Sequence, residues 1–146
     1  KDYIDSLVEL TPQGSVFAML DAMLVSNSER AMEIYAEQIA QGSAPQQIIG
    51  MIVWQLTQLA IVVDSARVSN KELTDTYGVS SFAVSKLRPI AQTLTNKDIG
   101  IIVKEVMDAD YQSRTTASAE DAVEYIVSFI SSYVANKKTA AHASAV

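Results

Sequence analysis

The sequence predicts an all-α fold, a single bundle of about six to seven helices. Apolar residues recur at i, i+3, i+4 and i+7 through most of the chain, which is the period of an amphipathic helix. Only 5 glycines and 3 prolines occur in 146 residues, too few for the tight turns of a strand-rich fold. Hydrophobic residues make up 49% and charged residues 19%, so the chain can build a core, and its length suits one domain.

The first two helices follow from their apolar stripes. One is expected from about Val16 to Val25, with Ser15 as its cap. The next is expected from about Ser28 to Gln41, where Gly42 is a favourable residue just past a helix end. Their inward faces would be formed by Phe17, Met19, Leu20, Met23 and Leu24, and by Ala31, Ile34, Tyr35 and Ile39.

The third helix is the most apolar. It has Pro45 in its first turn and continues to about Asp64. Its apolar residues more than fill one face, so we expect it to be either central to the bundle or shared with a partner protein. The apolar run from Ile48 to Val63 is interrupted by polar residues and is shorter than the roughly 20 residues that span a bilayer, which favours a buried helix over a membrane span.

Two shorter helices are expected next. A capping box at Ser69 to Glu72 begins the fourth helix, which stops at Gly78. The fifth begins near Ser80 or Ser81. Pro89 falls inside the fifth helix, which predicts a kink or a break after Arg88.

The last two helices begin at recognisable caps. The sixth begins at Thr95 or Asn96. The seventh begins at Ser118, where Asp121 would complete a capping box.

The chain is expected to consist of one helical domain with two flanking segments. Residues 1–14 read as the end of a preceding domain or a linker, residues 15–136 as the helical domain, and residues 137–146 as a flexible C-terminal tail rich in Ala, Ser and Lys. Ile4, Leu7 and Val8 suggest a short helix within residues 2–12. Because the first residue is Lys1 and not Met, we expect a fragment of a longer protein or a processed chain.

Few residue patterns indicate chemistry. The chain has no cysteine, which excludes disulfides and thiolate sites, and the lone histidine, His142, lies in the weakly patterned tail. Neither a GxxxxGK[ST] loop nor a GxGxxG motif occurs. The net charge of −6 disfavours direct, tight binding of nucleic acid. We therefore expect no catalytic, cofactor-binding or metal-binding residues, no enzymatic activity, and a cytoplasmic location.

A helix-turn-helix DNA-binding domain over residues 69–94 is the alternative function. The Gly78-Val79-Ser80 turn and the later Val84-Ser85 are typical of DNA-reading examples. The second helix, however, offers only Lys86 and Arg88 as cations, and Pro89 interrupts it. A tight turn between two packed helices is the interpretation that we favour.

Four aromatic residues are candidates for a protein interface. Tyr125, Phe129 and Tyr133 lie at i, i+4 and i+8 on the last helix. Core packing explains such a stripe in most proteins, but aromatic residues are also enriched in the cores of interfaces. Trp54 on the third helix is open to the same two interpretations.

The order of segments resembles one known family. Ser15 to Leu24 is followed by Ser28 to Ile34, then by Gly42-Ser43-Ala44-Pro45 and the long apolar helix, then by the Gly78 to Phe82 turn, and finally by Val106 to Asp110 with Arg114. Over about residues 15–134 this succession resembles the C-terminal collar, or oligomerisation, domain of the delta subunit of the DNA polymerase III clamp loader.

That resemblance implies a helical bundle that packs against the matching domains of gamma/tau-type and delta-prime-type subunits. The resulting collar would hold together the complex that loads the sliding clamp during DNA replication, while other domains bind ATP, the clamp and primed DNA. It supplies no catalytic residue, and this chain would reach DNA and the clamp only through the whole complex. The holoenzyme as a whole would be a DNA-directed DNA polymerase.

Overall fold

The computed structural model describes residues 12–145, apart from the side chains of residues 13 and 141–145. Over residues 12–145 all regular secondary structure is helical, which confirms the predicted fold class. The short helix expected within residues 2–12 lies outside the described residues except for Pro12. The helices of the described chain are α1 (Pro12–Leu24), α2 (Ser28–Ala40), α3 (Pro45–Asp64), α4 (Asn70–Asp75), α5 (Ser81–Ala91), α6 (Asn96–Ser113) and α7 (Ala119–Ala145).

Side-chain caps begin most of these helices. The Asn27, Ser69, Ser80 and Thr95 side chains each accept a hydrogen bond from the backbone N–H three residues later, and Ser118 does the same at α7. A complete capping box, with bonds in both directions, is formed by Thr95 and Asp98. At the end of α2, Gly42 has a φ of 105°, as predicted for a residue just past a helix end.

Helix α1 begins earlier than the sequence predicted. It starts at Pro12 and not near Val16, so residues 12–14, predicted as a linker, are helical. Proline is well suited to the first turn of a helix, because its φ is already helical and its missing N–H would have no partner there. Gly14 is buried within this added turn.

Helix α5 does not break at its proline. It continues past Pro89 to Ala91. A proline removes the single hydrogen bond that its N–H would donate one turn back, and α5 ends two residues later, so little helical structure depends on the lost bond. Of the predicted kink or break after Arg88, the break is therefore wrong, and the kink stays a prediction.

Helix α7 extends through most of the predicted tail. It runs from Ala119 to Ala145, so residues 137–145 are helical where the sequence predicted a flexible segment. Alanine favours helix strongly, and Lys137 donates hydrogen bonds to the Asp98 carboxylate and to the Thr93 carbonyl, which hold the first turn of this segment on the bundle.

Helix α3 lies at the centre of the bundle. It packs against α1, α5, α6 and α7, which confirms that it is central. By length and composition α3 could also cross a membrane, as core helices of soluble proteins often could. Its inner face is fully buried against the four neighbouring helices, which is the position of a core helix. The most deeply buried residues of this face are Ile48, Ile49, Ile52, Leu56, Leu59 and Val62.

We expect Leu56→Ala to lower the free energy of unfolding by about 3 kcal/mol. The Leu56 side chain is 1% exposed, so its truncation leaves a cavity that four packed helices cannot easily close. Urea denaturation followed by circular dichroism measures the change.

Gly100→Ala is the matched control on an exposed helix position. Gly100 lies inside α6, and an added Cβ would meet no atom within 4 Å. The variant should raise the free energy of unfolding by about 0.5–1 kcal/mol, because alanine loses less backbone entropy than glycine. Equal effects of the two variants would contradict the assigned burial.

Candidate protein-interaction surfaces

The outward side of α3 carries no charge. From Pro45 to Val63 the sequence contains no Asp, Glu, Lys or Arg. Surface helices of globular proteins normally place charged residues on the face opposite the core. Depletion of charge with retention of aromatic residues is instead typical of the core of a protein interface. We call this surface the α3 face, and it consists of Gln47, Gly50, Met51, Trp54, Thr57, Gln58 and Ile61.

Trp54 is the most prominent side chain of the α3 face. Its side chain is 42% exposed, although tryptophan is a residue that folding normally buries. One turn earlier, Gly50 offers no side chain, and a Cβ built there would meet no atom within 4 Å. The surface beside the indole is therefore open, which leaves room for a side chain of a partner protein.

The three aromatic residues of α7 form a stacked row that we call the aromatic ladder. The ring centroids of Tyr125 and Phe129 are 6.0 Å apart with planes inclined by 22°, and those of Phe129 and Tyr133 are 6.1 Å apart with planes inclined by 21°. Tyr125 is 47% exposed, whereas Phe129 and Tyr133 are half-buried against the core. Much of the ladder thus packs inside the bundle, and its role in an interface stays a prediction.

Hydrogen bonds fasten both ends of the ladder to α6. The Tyr125 hydroxyl donates to Glu105 Oε2 at 2.7 Å, and the Tyr133 hydroxyl donates to Asp98 Oδ1 at 2.7 Å. Each bond raises the pKa of its tyrosine, because an ionised phenol can no longer donate to the carboxylate. Burial raises both pKa values further.

Asp98 is the centre of a buried polar network that the sequence analysis missed. Its carboxylate, 6% exposed, accepts hydrogen bonds from Tyr133, from the Thr95 N–H at 2.9 Å and from Lys137 Nζ. Burial by itself raises the pKa of Asp98, but the bonds from Lys137, Thr95 and Tyr133 outweigh it and hold that pKa well below its usual range. The one sequence signal for part of this network was the spacing of Thr95 and Asp98, which is the spacing of a capping box.

Trp54 and the aromatic ladder lie on two different helices. Trp54 lies on α3 and the ladder on α7, and α3, α6 and α7 all pack against one another. Bonds from Gln46 to Asp110 and from Asn96 to Asp64 align α6 antiparallel to α3. The four predicted interface residues are therefore divided between two helices of the bundle.

The helix-turn-helix segment is built into the bundle. The Arg88 guanidinium donates to the carbonyls of Ser65 and Val68 and to Asn70 Oδ1, which ties α5 to the connection between α3 and α4. Lys86 Nζ lies 5.6 Å from the centroid of the Phe82 ring. Helix α5 also packs against α1, α3 and α4. This arrangement favours the tight-turn interpretation, because Arg88 is occupied by contacts within the protein.

Several carboxylates elsewhere in the described chain serve as ion-pair partners. Asp110 pairs with Arg114 at 3.0 Å, the pairing expected for residues one helical turn apart, and Lys104 pairs with Asp108 at 2.9 Å. Across the described residues, no group of three His, Cys, Asp or Glu side chains is placed to hold a metal ion.

Comparison with known families identifies the domain. Residues 13–129 match the family described as DNA polymerase III delta subunit, C-terminal domain, and this match covers most of the chain. The chain belongs to this family. The resemblance noted in the sequence is thereby confirmed, and membership supports a role as part of a clamp-loader subunit.

Structural comparison agrees with the assignment of the delta C-terminal domain. The fold is similar to that of the Bacillus subtilis DNA clamp loader delta protein (YqeN), with a TM-score of 0.78 and 16% sequence identity. The alignment covers 90% of this chain and 40% of that chain, so this domain spans about 40% of the length of the protein that it resembles. Comparison with curated proteins finds no match. Delta-type C-terminal domains are non-catalytic.

We expect the stability of this delta C-terminal domain to depend on Asp98 in acid. A carboxylate whose pKa is depressed by folding stabilises the protein above its unfolded pKa of about 4, and that stabilisation is lost as the pH falls further toward the folded pKa. The free energy of unfolding of the wild type should therefore decrease below about pH 4.

Asp98→Asn should flatten this acid dependence and lower stability at pH 7 by about 2 kcal/mol or more, because Lys137 loses its buried partner. Asp108→Asn is the control, since Asp108 forms an exposed ion pair. Urea titrations between pH 3 and pH 7 give both values. An acid dependence that is unchanged in Asp98→Asn would contradict the role of the network.

Arg88→Ala is expected to lower the stability of the fold. The isolated domain should not bind DNA tightly, either with or without this substitution. Loss of Arg88 leaves backbone carbonyls near α4 without their donors, which should cost about 1–3 kcal/mol. A gel shift of the isolated domain on duplex DNA at several salt concentrations tests the second part. Tight binding that weakens steeply with salt and disappears in Arg88→Ala would instead support the helix-turn-helix alternative.

Proposed function

We propose that this chain is the collar domain of a DNA polymerase III delta subunit, which assembles with the other clamp-loader subunits and performs no chemistry itself. The partners are subunits of the gamma/tau type and of the delta-prime type. The complex loads the sliding clamp during DNA replication, in the cytoplasm and without a membrane. DNA and the clamp are contacted through the complex, as a component of the DNA polymerase holoenzyme.

The observation that carries this proposal is the uncharged α3 face. Nineteen consecutive residues, from Pro45 to Val63, contain no charge although several of them are exposed. The core of the bundle explains the apolar inner face, but it does not explain an outer face without Lys or Glu in a chain with 11 basic and 17 acidic residues. A partner protein that covers the outer face accounts for the missing charges there.

The charge distribution supports assembly over direct contact with DNA. The net charge is −6, so the domain as a whole repels phosphate. Arg88, the strongest candidate for a phosphate contact, donates its hydrogen bonds within the bundle. Trp54 and Tyr125 are the aromatic side chains of the predicted interface that remain about half exposed, and they are the anchors that we assign to it.

Trp54→Ala is expected to raise the dissociation constant for partner subunits about tenfold or more. Buried interface tryptophans are among the residues whose truncation costs most. The experiment reconstitutes the clamp loader from the full-length delta subunit that contains this domain and its purified partners, and it measures assembly by sedimentation. The unfolding midpoint of the variant should change little, because the indole is 42% exposed.

Tyr111→Ala is the matched control. Tyr111 is 69% exposed on α6 and does not belong to the α3 face, so its truncation should leave assembly unchanged. Tyr125→Ala should weaken assembly by less than Trp54→Ala, since part of its ring packs in the ladder. Wild-type affinity of Trp54→Ala would exclude the α3 face, and a delta subunit that forms no complex would exclude the collar function.

A further inference from the structure

A polar cleft lies between α2 and α7. Its volume is about 370 Å³, within the range of about 300–1,000 Å³ that is usual for ligand-binding clefts. The α7 residues that line it recur at i, i+3, i+4, i+7 and i+8, so they form one stripe along the helix. We call it the α2–α7 cleft, and it is lined by Ser28, Glu29, Met32, Glu124, Val127, Ser128, Ser131 and Ser132.

Both charged groups of the cleft are negative. Glu29 lies on the α2 wall and Glu124 on the α7 wall, and no Lys or Arg lines the cleft. Neither carboxylate has a hydrogen-bond or ion-pair partner among the described residues, unlike Asp98, Asp108 and Asp110, which pair with cations. Both walls therefore attract a cation and repel an anion.

Ser131 supplies a second signal that is independent of these charges. It lies at the floor of the cleft and is 7% exposed, and its Oγ has no hydrogen-bond partner. Buried hydroxyl groups in folded proteins nearly always have a partner, because the hydrogen bond that they made to water must be replaced. Ser128 and Ser132 beside it are exposed. A ligand that brings an N–H group into the cleft supplies the partner that Ser131 lacks.

Tyr35 marks the other end of the cleft. The Ser26 hydroxyl donates to the Ser131 carbonyl at 3.1 Å, so the start of α2 lies beside that part of α7. Burial raises the pKa of the Tyr35 phenol, and the nearby charges of Glu120 and Glu124 raise it further. Helices α2 and α7 thus run antiparallel along the cleft. Tyr35 is 8% exposed and its hydroxyl has no partner either, so both ends offer an unsatisfied polar group.

Apolar contact is available between these ends. Met32 lines the α2 wall between Glu29 and Tyr35, and Val127 lines the α7 wall one turn from Glu124. This order of polar, apolar and polar groups matches a chain of methylene groups with an N–H donor at each end. A bare metal ion matches less well, since no group of three His, Cys, Asp or Glu side chains in the described part of the chain is placed to hold one.

We propose that the α2–α7 cleft binds an aliphatic diamine or polyamine, with one ammonium group near Glu29 and Ser131 and the next near Glu124. The methylene groups between them contact Met32 and Val127. This inference goes beyond the assembly function and does not depend on it. A lysine side chain carries the same ammonium group but has only one, so it satisfies one end of the cleft and binds more weakly.

Titration of the chain with 1,4-diaminobutane, followed by the backbone amide shifts in NMR spectra, tests the proposal. The dissociation constant should be about 1 mM or lower at about 150 mM NaCl, which screens attraction between the diamine and the acidic surface as a whole. The largest shifts should fall within residues 28–35 and 124–132. Butylamine, with one ammonium group, should bind at least about fivefold more weakly, and 1,4-butanediol should not bind measurably.

Substitutions in the cleft test the individual contacts. Glu29→Gln and Glu124→Gln should each raise the dissociation constant about fivefold, because each removes one exposed ionic contact and keeps the shape of the side chain. Ser131→Ala should raise it about threefold without lowering the unfolding midpoint, because the wild-type hydroxyl has no partner to lose. Glu72→Gln on α4 makes the same change of charge away from the cleft and should have no effect.

Three outcomes would overturn the proposal. Shifts that spread over the acidic surface, with equal losses of affinity in Glu72→Gln and Glu124→Gln, would show that the diamine only screens charge. Equal binding of butylamine and the diamine would exclude two ammonium sites. Binding of Nα-acetyl-lysine N-methylamide as tight as that of the diamine would assign the cleft to a lysine side chain of a protein. None of these measurements includes a partner subunit, so each of them leaves the collar function standing.

Discussion

The burial of α3 among α1, α5, α6 and α7 is the constraint on which the rest of the structure depends. A helix that must contact four neighbours needs apolar residues over much of its circumference, and no position from Pro45 to Val63 is charged. The residues that complete the core are thus continuous with those of the outer face. Core formation and the proposed association with partner subunits thus depend on one sequence segment, which explains why no separate binding motif can be distinguished in it.

Two polar clusters hold the surrounding helices at fixed positions on this core. Arg88 joins α5 to the chain between α3 and α4, and Asp98 joins the start of α6 to α7. Both are placed where backbone groups at helix ends would otherwise lack partners. Apolar packing alone tolerates sliding of one helix along another, whereas these hydrogen bonds each require one arrangement. The clusters therefore give the bundle a definite register.

The sequence predicted the fold class and the helices well, because caps, glycines and apolar stripes are local signals. The predictions that failed concern helix ends, at Pro12 and Pro89, and residues whose state depends on tertiary contacts. A proline such as Pro89 breaks a helix only if further helical turns follow it and depend on its missing hydrogen bond. Helix α5 ends two residues after Pro89, at Ala91. The Asp98 network requires Lys137, 39 residues further along the chain, so the local Thr95-x-x-Asp98 spacing could indicate only its capping box. The sequence could not decide between the core and an interface for Trp54, because apolar periodicity does not tell which side of a largely apolar helix remains exposed.

The bond between Lys137 and Asp98 has a consequence for where this domain can be cut. Residue 136 is the natural end of the domain if only apolar periodicity is considered, but truncation there would remove the cation that faces a buried carboxylate. A domain boundary placed after Lys137 would therefore retain this ion pair, which a boundary at residue 136 would lose. If a protein shortened to residue 136 precipitates, the cause would be the buried Asp98 carboxylate that has lost its counter-ion, and not an inability of the bundle to fold.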